Sequence, residues 1–318
     1  MSKFVSSIDL YSLVYECSKL ALLAGRIIRE VHNARLIGGN DVLDGHLKED
    51  GDLKSVATVA DIRAQRVVVE ALRSKFPGLC IVGEEEDDNE IYKSECKNIS
   101  NTEDYIDSHP FITSRCLEVL NTPQKAAEYQ LDNIVVFIDP LDGTHEFVEG
   151  RVKNVQTLIG ISVNGYPIAG VVGLPFWGQE CSGISGGIDG LGLEVGSGSG
   201  LDLVRGRDEG AVIVGCVGFG TFGFNKITSN NTNSNCNSNG DTTAPGGSLR
   251  LACSESIKHP ALVVVHKTLT SAPINATTVV TPACGNKILS LLRGECDIAV
   301  FNLKTSLWDT CATQAMLV

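Results

Sequence analysis

Positive charge is scarce in this chain: 26 Lys and Arg stand against 38 Asp and Glu, a formal net charge of −12. Such a surface lacks the dense cationic footprint that a nucleic-acid polymer or an anionic membrane demands. A small anionic partner stays open, provided that something local reverses the sign. Long hydrophobic runs are missing too. No apolar stretch approaches the roughly 20 residues of a membrane span, and Met1-Ser2-Lys3-Phe4 does not lead into the apolar run of a signal peptide. The 11 cysteines form no C-x-x-C pair, which excludes a readable zinc ribbon or thioredoxin-type site. The six histidines show no metal-ligand spacing, which argues against zinc. The cysteines read instead as small buried hydrophobes of a reducing compartment, so the sequons at Asn98, Asn230 and Asn275 carry little weight. The expectation is a soluble cytoplasmic protein, with no membrane and no nucleic-acid polymer among its partners.

With 43% apolar and 20% charged residues, the composition is globular rather than disordered, fibrous or coiled-coil. A length of 318 residues suggests about two domains. Apolar positions at helical spacing predict amphipathic helices over 8–31 and 61–76. Pro77-Gly78 stops the second, and a short strand follows at 79–82. Residues 84–130 are acidic and weakly periodic, a surface excursion with some helix. The run Ile134–Ile138 has the pattern of a strand buried on both faces, and strands at 157–163 and 168–174 flank the Asn164-Gly165 hairpin turn. Further strands are expected at 211–217, 262–266 and 298–301, and helices at 286–292 and after Ser306. This alternation predicts a layered α/β fold. An N-terminal α+β domain covers 1–177, a Gly/Ser-rich inserted loop 178–210, and a C-terminal α/β domain 211–318 with a disordered Asn-rich insert at 229–248.

The segment richest in chemistry is Ile138-Asp139-Pro140-Leu141-Asp142-Gly143-Thr144. A buried strand runs directly into two carboxylates three apart, and Pro140 fixes the turn so that both side chains can converge beyond the strand end. Two anions side by side cost several kcal/mol unless a cation sits between them. Gly143-Thr144 then opens a helix whose free amides suit a phosphate. Alone, this segment also fits a solvated acidic turn with a helix cap. Three further acidic positions are Glu84 after a strand, Asp61 at a helix start, and Asp309 in Trp308-Asp309-Thr310. Each of these has an ordinary reading as a loop end or a helix-dipole partner.

Taken together, VATVAD (56–61), IVGEE (81–85), IDPLDGTHEFVEG (138–150), GNKI (285–288) and WDTCA (308–312) resemble, in order, the inositol monophosphatase-like superfamily. Its members are Mg²⁺-dependent, lithium-sensitive phosphomonoesterases. The step from Asp61 to Glu84, the VGFGTFGF run at 217–224 and the GNK-to-WDTCA spacing look most like the bisphosphate 3′-nucleotidases, which hydrolyse 3′-phosphoadenosine 5′-phosphate. The resemblance implies an alternating α-β-α-β-α sandwich. It implies two or three Mg²⁺ ions held by Glu84, Asp139, Asp142, Asp309 and the Leu141 carbonyl. It makes Asp61 and Thr144 the pair that orients and deprotonates the attacking water, and Gly143, Thr144, Ser254, Gly285 and Lys287 the substrate contacts. Mg²⁺ chemistry agrees, since the ion prefers oxygen ligands and is commonly held by a few carboxylates plus substrate phosphate.

The chain also departs from that pattern. The Ser-Arg-Ser-His substrate segment of the nucleotidases stands here as Ser254-Glu255-Ser256-Ile257, and a Ser-Glu pair is reminiscent of inositol polyphosphate 1-phosphatases. A small phosphorylated nucleotide or an inositol phosphate is therefore the expected partner. His145 replaces a usual Lys. The superfamily continues for several tens of residues past the WDTCA helix, whereas this sequence stops at Val318, so Asp309 is expected to be loosely held and a non-catalytic chain is an alternative. Gly218–Gly223 matches G-x-G-x-x-G, but the Asn-rich tract follows where a dinucleotide site needs a helix.

Overall fold

The computed structural model describes residues 7–38, 46–47, 56–57, 59–85, 128–177, 210–218, 220–222, 249–302 and 304–318. The Gly/Ser-rich run, the Asn-rich insert and most of the acidic excursion lie outside the described residues. The strands are β1 (Ser7–Asp9), β2 (His46–Leu47), β3 (Val56–Ala57), β4 (Cys80–Gly83), β5 (Glu128–Gln130), β6 (Ile134–Asp142), β7 (Gln156–Val163), β8 (Tyr166–Leu174), β9 (Ala211–Cys216), β10 (Gly220–Phe222), β11 (Arg250–Cys253), β12 (Thr277–Val280) and β13 (Ile298–Ala299). The helices are α1 (Leu10–Gly38), α2 (Val59–Lys75), α3 (Thr144–Val148), α4 (Pro260–Thr270), α5 (Cys284–Leu292) and α6 (Leu307–Leu317).

Six strands form the large sheet in the order β10-β9-β8-β7-β6-β4, with β4 parallel to β6 and the other pairs antiparallel. Helices α1 and α2 pack together on one face and α6 on the other, so β7 is buried at every position. That double cover is why these strands read as continuous apolar runs rather than alternating ones. A smaller parallel sheet, β12-β11-β13, stands beyond α5, and α4 borders it with His266 hydrogen-bonded to Thr278 of β12 at 2.9 Å. The layers thus alternate helix and sheet, and the fold class is α/β as expected.

One expectation gives way. Residues 262–266 were expected as a strand on their apolar run, yet they lie inside α4, which Pro260 opens and His259 caps by accepting from the Ala261 amide. Proline at the first helical position is preorganised for a helix and outweighs the β-branched valines. Strands β9 and β10 extend the large sheet. The change of sheet falls between Phe222 and Arg250.

One device sets the distance of α6 from the sheet. Gly160, Gly170 and Gly215 face one another across β7, β8 and β9. A Cβ on Gly160 would fall 2.6 Å from the Ala312 amide nitrogen, and one on Gly170 1.9 Å from the Ala312 carbonyl oxygen. The glycines form a groove in which the α6 backbone lies directly on the strands.

Candidate active site

The carboxyl end of β6 carries the site. Asp139 and Asp142 are buried, 2% and 5% exposed. Between them the chain is pinned from two sides: the Leu141 amide donates to Asp139 Oδ1 at 3.1 Å, and Thr157 Oγ1 donates to the Pro140 carbonyl at 2.9 Å. Gly143 caps α3 at φ +94°, a left-handed conformation that glycine adopts without a Cβ penalty. Thr144 Oγ1 then lies 3.0 Å from Asp61 Oδ1 and 3.1 Å from the Leu141 carbonyl. Arg35 of α1 donates to the Phe147 and Val148 carbonyls and so secures the far end of this short helix.

Each remaining acid arrives on a different element. Asp61 is in the first turn of α2 and is 1% exposed. Four residues on, Gln65 clamps the chain after β4: its Nε2 donates to the Glu85 carbonyl at 2.6 Å, and its Oε1 accepts from the Glu85 amide at 2.9 Å. The Glu84 amide donates to the Ile138 carbonyl at 3.0 Å, which extends the β4–β6 pairing and puts Glu84 beside Asp139. Asp309 forms half of a capping box with Ser306, whose amide donates to Asp309 Oδ2 at 2.5 Å. It is therefore firmly held, contrary to expectation, because its own helix start fixes it and the glycine groove fixes the helix.

From the opposite side α5 reaches Asp142. The Cys284 amide donates to Asp142 Oδ1 at 3.0 Å and the Gly285 amide to Oδ2 at 2.6 Å. A Cβ on Gly285 would fall 1.9 Å from Gln156 Oε1 and 2.9 Å from Asp142 Oδ2, so any larger residue there has to displace those side chains. Gln156 in turn donates to Asn286, whose side-chain amide donates to the Asn154 carbonyl at 2.8 Å. Ala283 enters this helix at φ +63°, where a non-glycine backbone is strained.

Charge follows from this convergence. Burial pushes the Asp139 carboxyl well above its ordinary range, and Glu84, Asp142, Asp309 and Asp61 push it further. Asp142 is raised to about 6 by burial; the Cys284 and Gly285 amides hold it down, Asp309 raises it and Lys287 lowers it. Five carboxylates thus bear on one point, and that point calls for a cation. Four of them with the Leu141 carbonyl could hold a hard divalent ion, which takes oxygen donors.

The substrate candidates are placed less uniformly. Gly143, Thr144 and Gly285 border the carboxylates. Lys287 is 2% exposed, and its Nζ donates to the Ala283 carbonyl at 3.0 Å and lies 5.8 Å from the Phe301 ring. Its charge lowers the Asp142 carboxyl and the Cys253 thiol. Ser254 leaves the carboxyl end of β11, next to Cys253, which lies within the field of Lys287. A cleft of about 350 Å³ lined by Lys153, Asn154, Trp177, Asn286 and Arg293 lies nearby, and none of the five carboxylates lines it. Gln65, Gln156, Cys284 and the glycine groove were not singled out from the sequence. Gln65 was within reach, four residues after Asp61 and so on the same helix face.

A model of the inositol monophosphatase family matches residues 11–318, and the chain belongs to that family. It is a phosphatase, an enzyme of the phosphoric monoester hydrolase class. Human 3′(2′),5′-bisphosphate nucleotidase 1 is 29% identical to it over 313 residues, covering 98% of this chain and 82% of the human protein. The nucleotidase of the same name from Dictyostelium discoideum is 34% identical over 188 residues, 58% of this chain and 51% of its own. In fold, the chain is similar to the crystal structure of CysQ from Bacteroides thetaiotaomicron, with a TM-score of 0.53 at 16% identity over 96% of this chain and 86% of that one.

Proposed function

We propose that this chain removes the 3′-phosphate of 3′-phosphoadenosine 5′-phosphate, giving AMP and inorganic phosphate, with Mg²⁺ as its cofactor. The observation that carries the reading is the Asp61–Thr144 hydrogen bond at 3.0 Å, set beside the buried pair Asp139 and Asp142. The nucleotidases among its relatives support the choice of substrate.

Glu84, Asp139, Asp142, Asp309 and the Leu141 carbonyl would hold two or three Mg²⁺ ions. When bound, they supply Lewis-acid stabilisation of the phosphate oxygens and acidify the attacking water. Thr144 Oγ1 carries one proton, which can go either to Asp61 or to the Leu141 carbonyl. Donation to Asp61 leaves an oxygen lone pair that accepts the proton of the attacking water, so the pair works as a relay. The free amides at the start of α3 orient the phosphate. Contact between Lys287 and a second phosphate requires its Nζ to leave the Ala283 carbonyl.

Glu255, exposed beside Ser254, favours an inositol phosphate as the second reading, because it stands where an Arg would meet a nucleotide phosphate. Initial rates of phosphate release with Mg²⁺ on adenosine 3′,5′-bisphosphate and on inositol 1,4-bisphosphate separate the two. Faster turnover of the nucleotide, with 5′-AMP as product, is the expected result. Turnover of the inositol compound alone overturns the substrate assignment.

A further inference from the structure

The donors assigned above are all oxygens, yet a sulfur lies among them. Cys284 is the first residue of α5, and its amide is already fixed on Asp142 at 3.0 Å. One ligand atom each of Asp142, Cys284 and Asp309 lie within 4.8 Å of one another. We propose that the cation position at Asp142 and Asp309 has a mixed oxygen–sulfur donor set, with Cys284 Sγ as its third protein ligand. It takes a thiophilic divalent cation, Zn²⁺ or Cd²⁺, in competition with Mg²⁺. The proposal rests on the metal reading of the site.

Three elements bring the three atoms together: the end of β6, the start of α5 and the first turn of α6. With the Cys284 main chain held by Asp142, only rotation about its Cα–Cβ bond remains to set Sγ. The residue is half-buried, and burial with the Asp142 and Asp309 carboxylates pushes its thiol up. Mg²⁺ is a hard ion and gains little from sulfur, whereas thiolate ligands select softer cations. Two carboxylates and one thiolate would supply three of the four donors that Zn²⁺ usually takes. On binding, the Sγ–H bond breaks, the proton leaves to solvent, and the sulfur electron pair forms the bond to the cation. No oxidant or reductant takes part. Histidine plays no role in such a site, so the histidine spacing gives no sign of it.

X-ray absorption at the zinc edge on the full chain loaded with equimolar Zn²⁺ tests this directly. A sulfur scatterer at about 2.3 Å, with oxygen neighbours, is the expected result. In both Cys284→Ala and Cys284→Ser the sulfur shell disappears and the affinity for Zn²⁺ falls by about tenfold or more. A shell of oxygen or nitrogen only, or a sulfur shell that persists in both variants, overturns the proposal. Calorimetric Mg²⁺ titration of the wild type and of Asp142→Asn keeps the two failures apart. If Mg²⁺ binding depends on Asp142 while zinc shows no sulfur, the thiol assignment fails and the metal reading stands. If no cation binding depends on Asp142, the metal reading fails and takes this proposal with it.

Discussion

Thr144 and Asp61 touch at 3.0 Å although 83 positions separate them in the chain. Their work in the proposed reaction is proton transfer, so their loss has a particular kinetic form. Thr144→Ala and Asp61→Asn are each expected to lower kcat by roughly 10²–10⁴, while calorimetric Mg²⁺ binding stays close to wild type. Equal loss of Mg²⁺ binding would make them structural. A second residue-level expectation concerns Asp142, raised from its ordinary value of 3.8 to about 6. The folded, metal-free chain holds this proton more tightly than the unfolded chain does. The stability that the proton contributes is therefore full below about pH 4 and is lost as pH rises through about 6. Thermal unfolding in EDTA should show the wild-type Tm falling relative to Asp142→Asn across that window. A relative rise would contradict the assignment.

At the scale of elements, the seat of α6 decides where Asp309 stands. The groove of Gly160, Gly170 and Gly215 lets the helix backbone meet the sheet, and the capping box at Ser306 then points Asp309 at β6. Gly170→Ala puts a methyl group against the Ala312 carbonyl. It is expected to destabilise the chain by at least about 1–3 kcal/mol and to weaken Mg²⁺ binding as α6 lifts. Denaturant unfolding measures the first effect and calorimetry the second; an unchanged unfolding midpoint would sink the groove's role. The inner strands β6, β7, β8 and β9 were legible because both faces are covered and their apolar runs are continuous. The groove was not, because single glycines within strands acquire meaning only when registered across three of them. Helix α4 was misread for a related reason: Val263, Val264 and Val265 favour a strand locally, and the Pro260 start overrode them.

Across the whole molecule, acids from α2, β6, α6 and the turn after β4 bear on Asp139, in a chain whose net charge is −12. The identity of those acids was readable, since each sits in a short motif beside a strand end or a helix start. How they are held was not. Gln65 on the backbone of Glu85, Gln156 on Asn286, and the α5 amides on Asp142 are contacts between segments far apart in sequence. Net charge says little about a small phosphate, because a bound divalent ion inverts the local sign. If the acidic centre works as proposed, as a Mg²⁺-dependent phosphatase on a small bisphosphate, phosphate release follows the cation. A continuous phosphate-release assay on adenosine 3′,5′-bisphosphate, begun with Mg²⁺ and then given excess EDTA, tests it most directly. Steady release that stops on chelation and resumes when Mg²⁺ is restored is the expected result; release that continues unchanged in EDTA, or none with Mg²⁺ present, would overturn the proposed function.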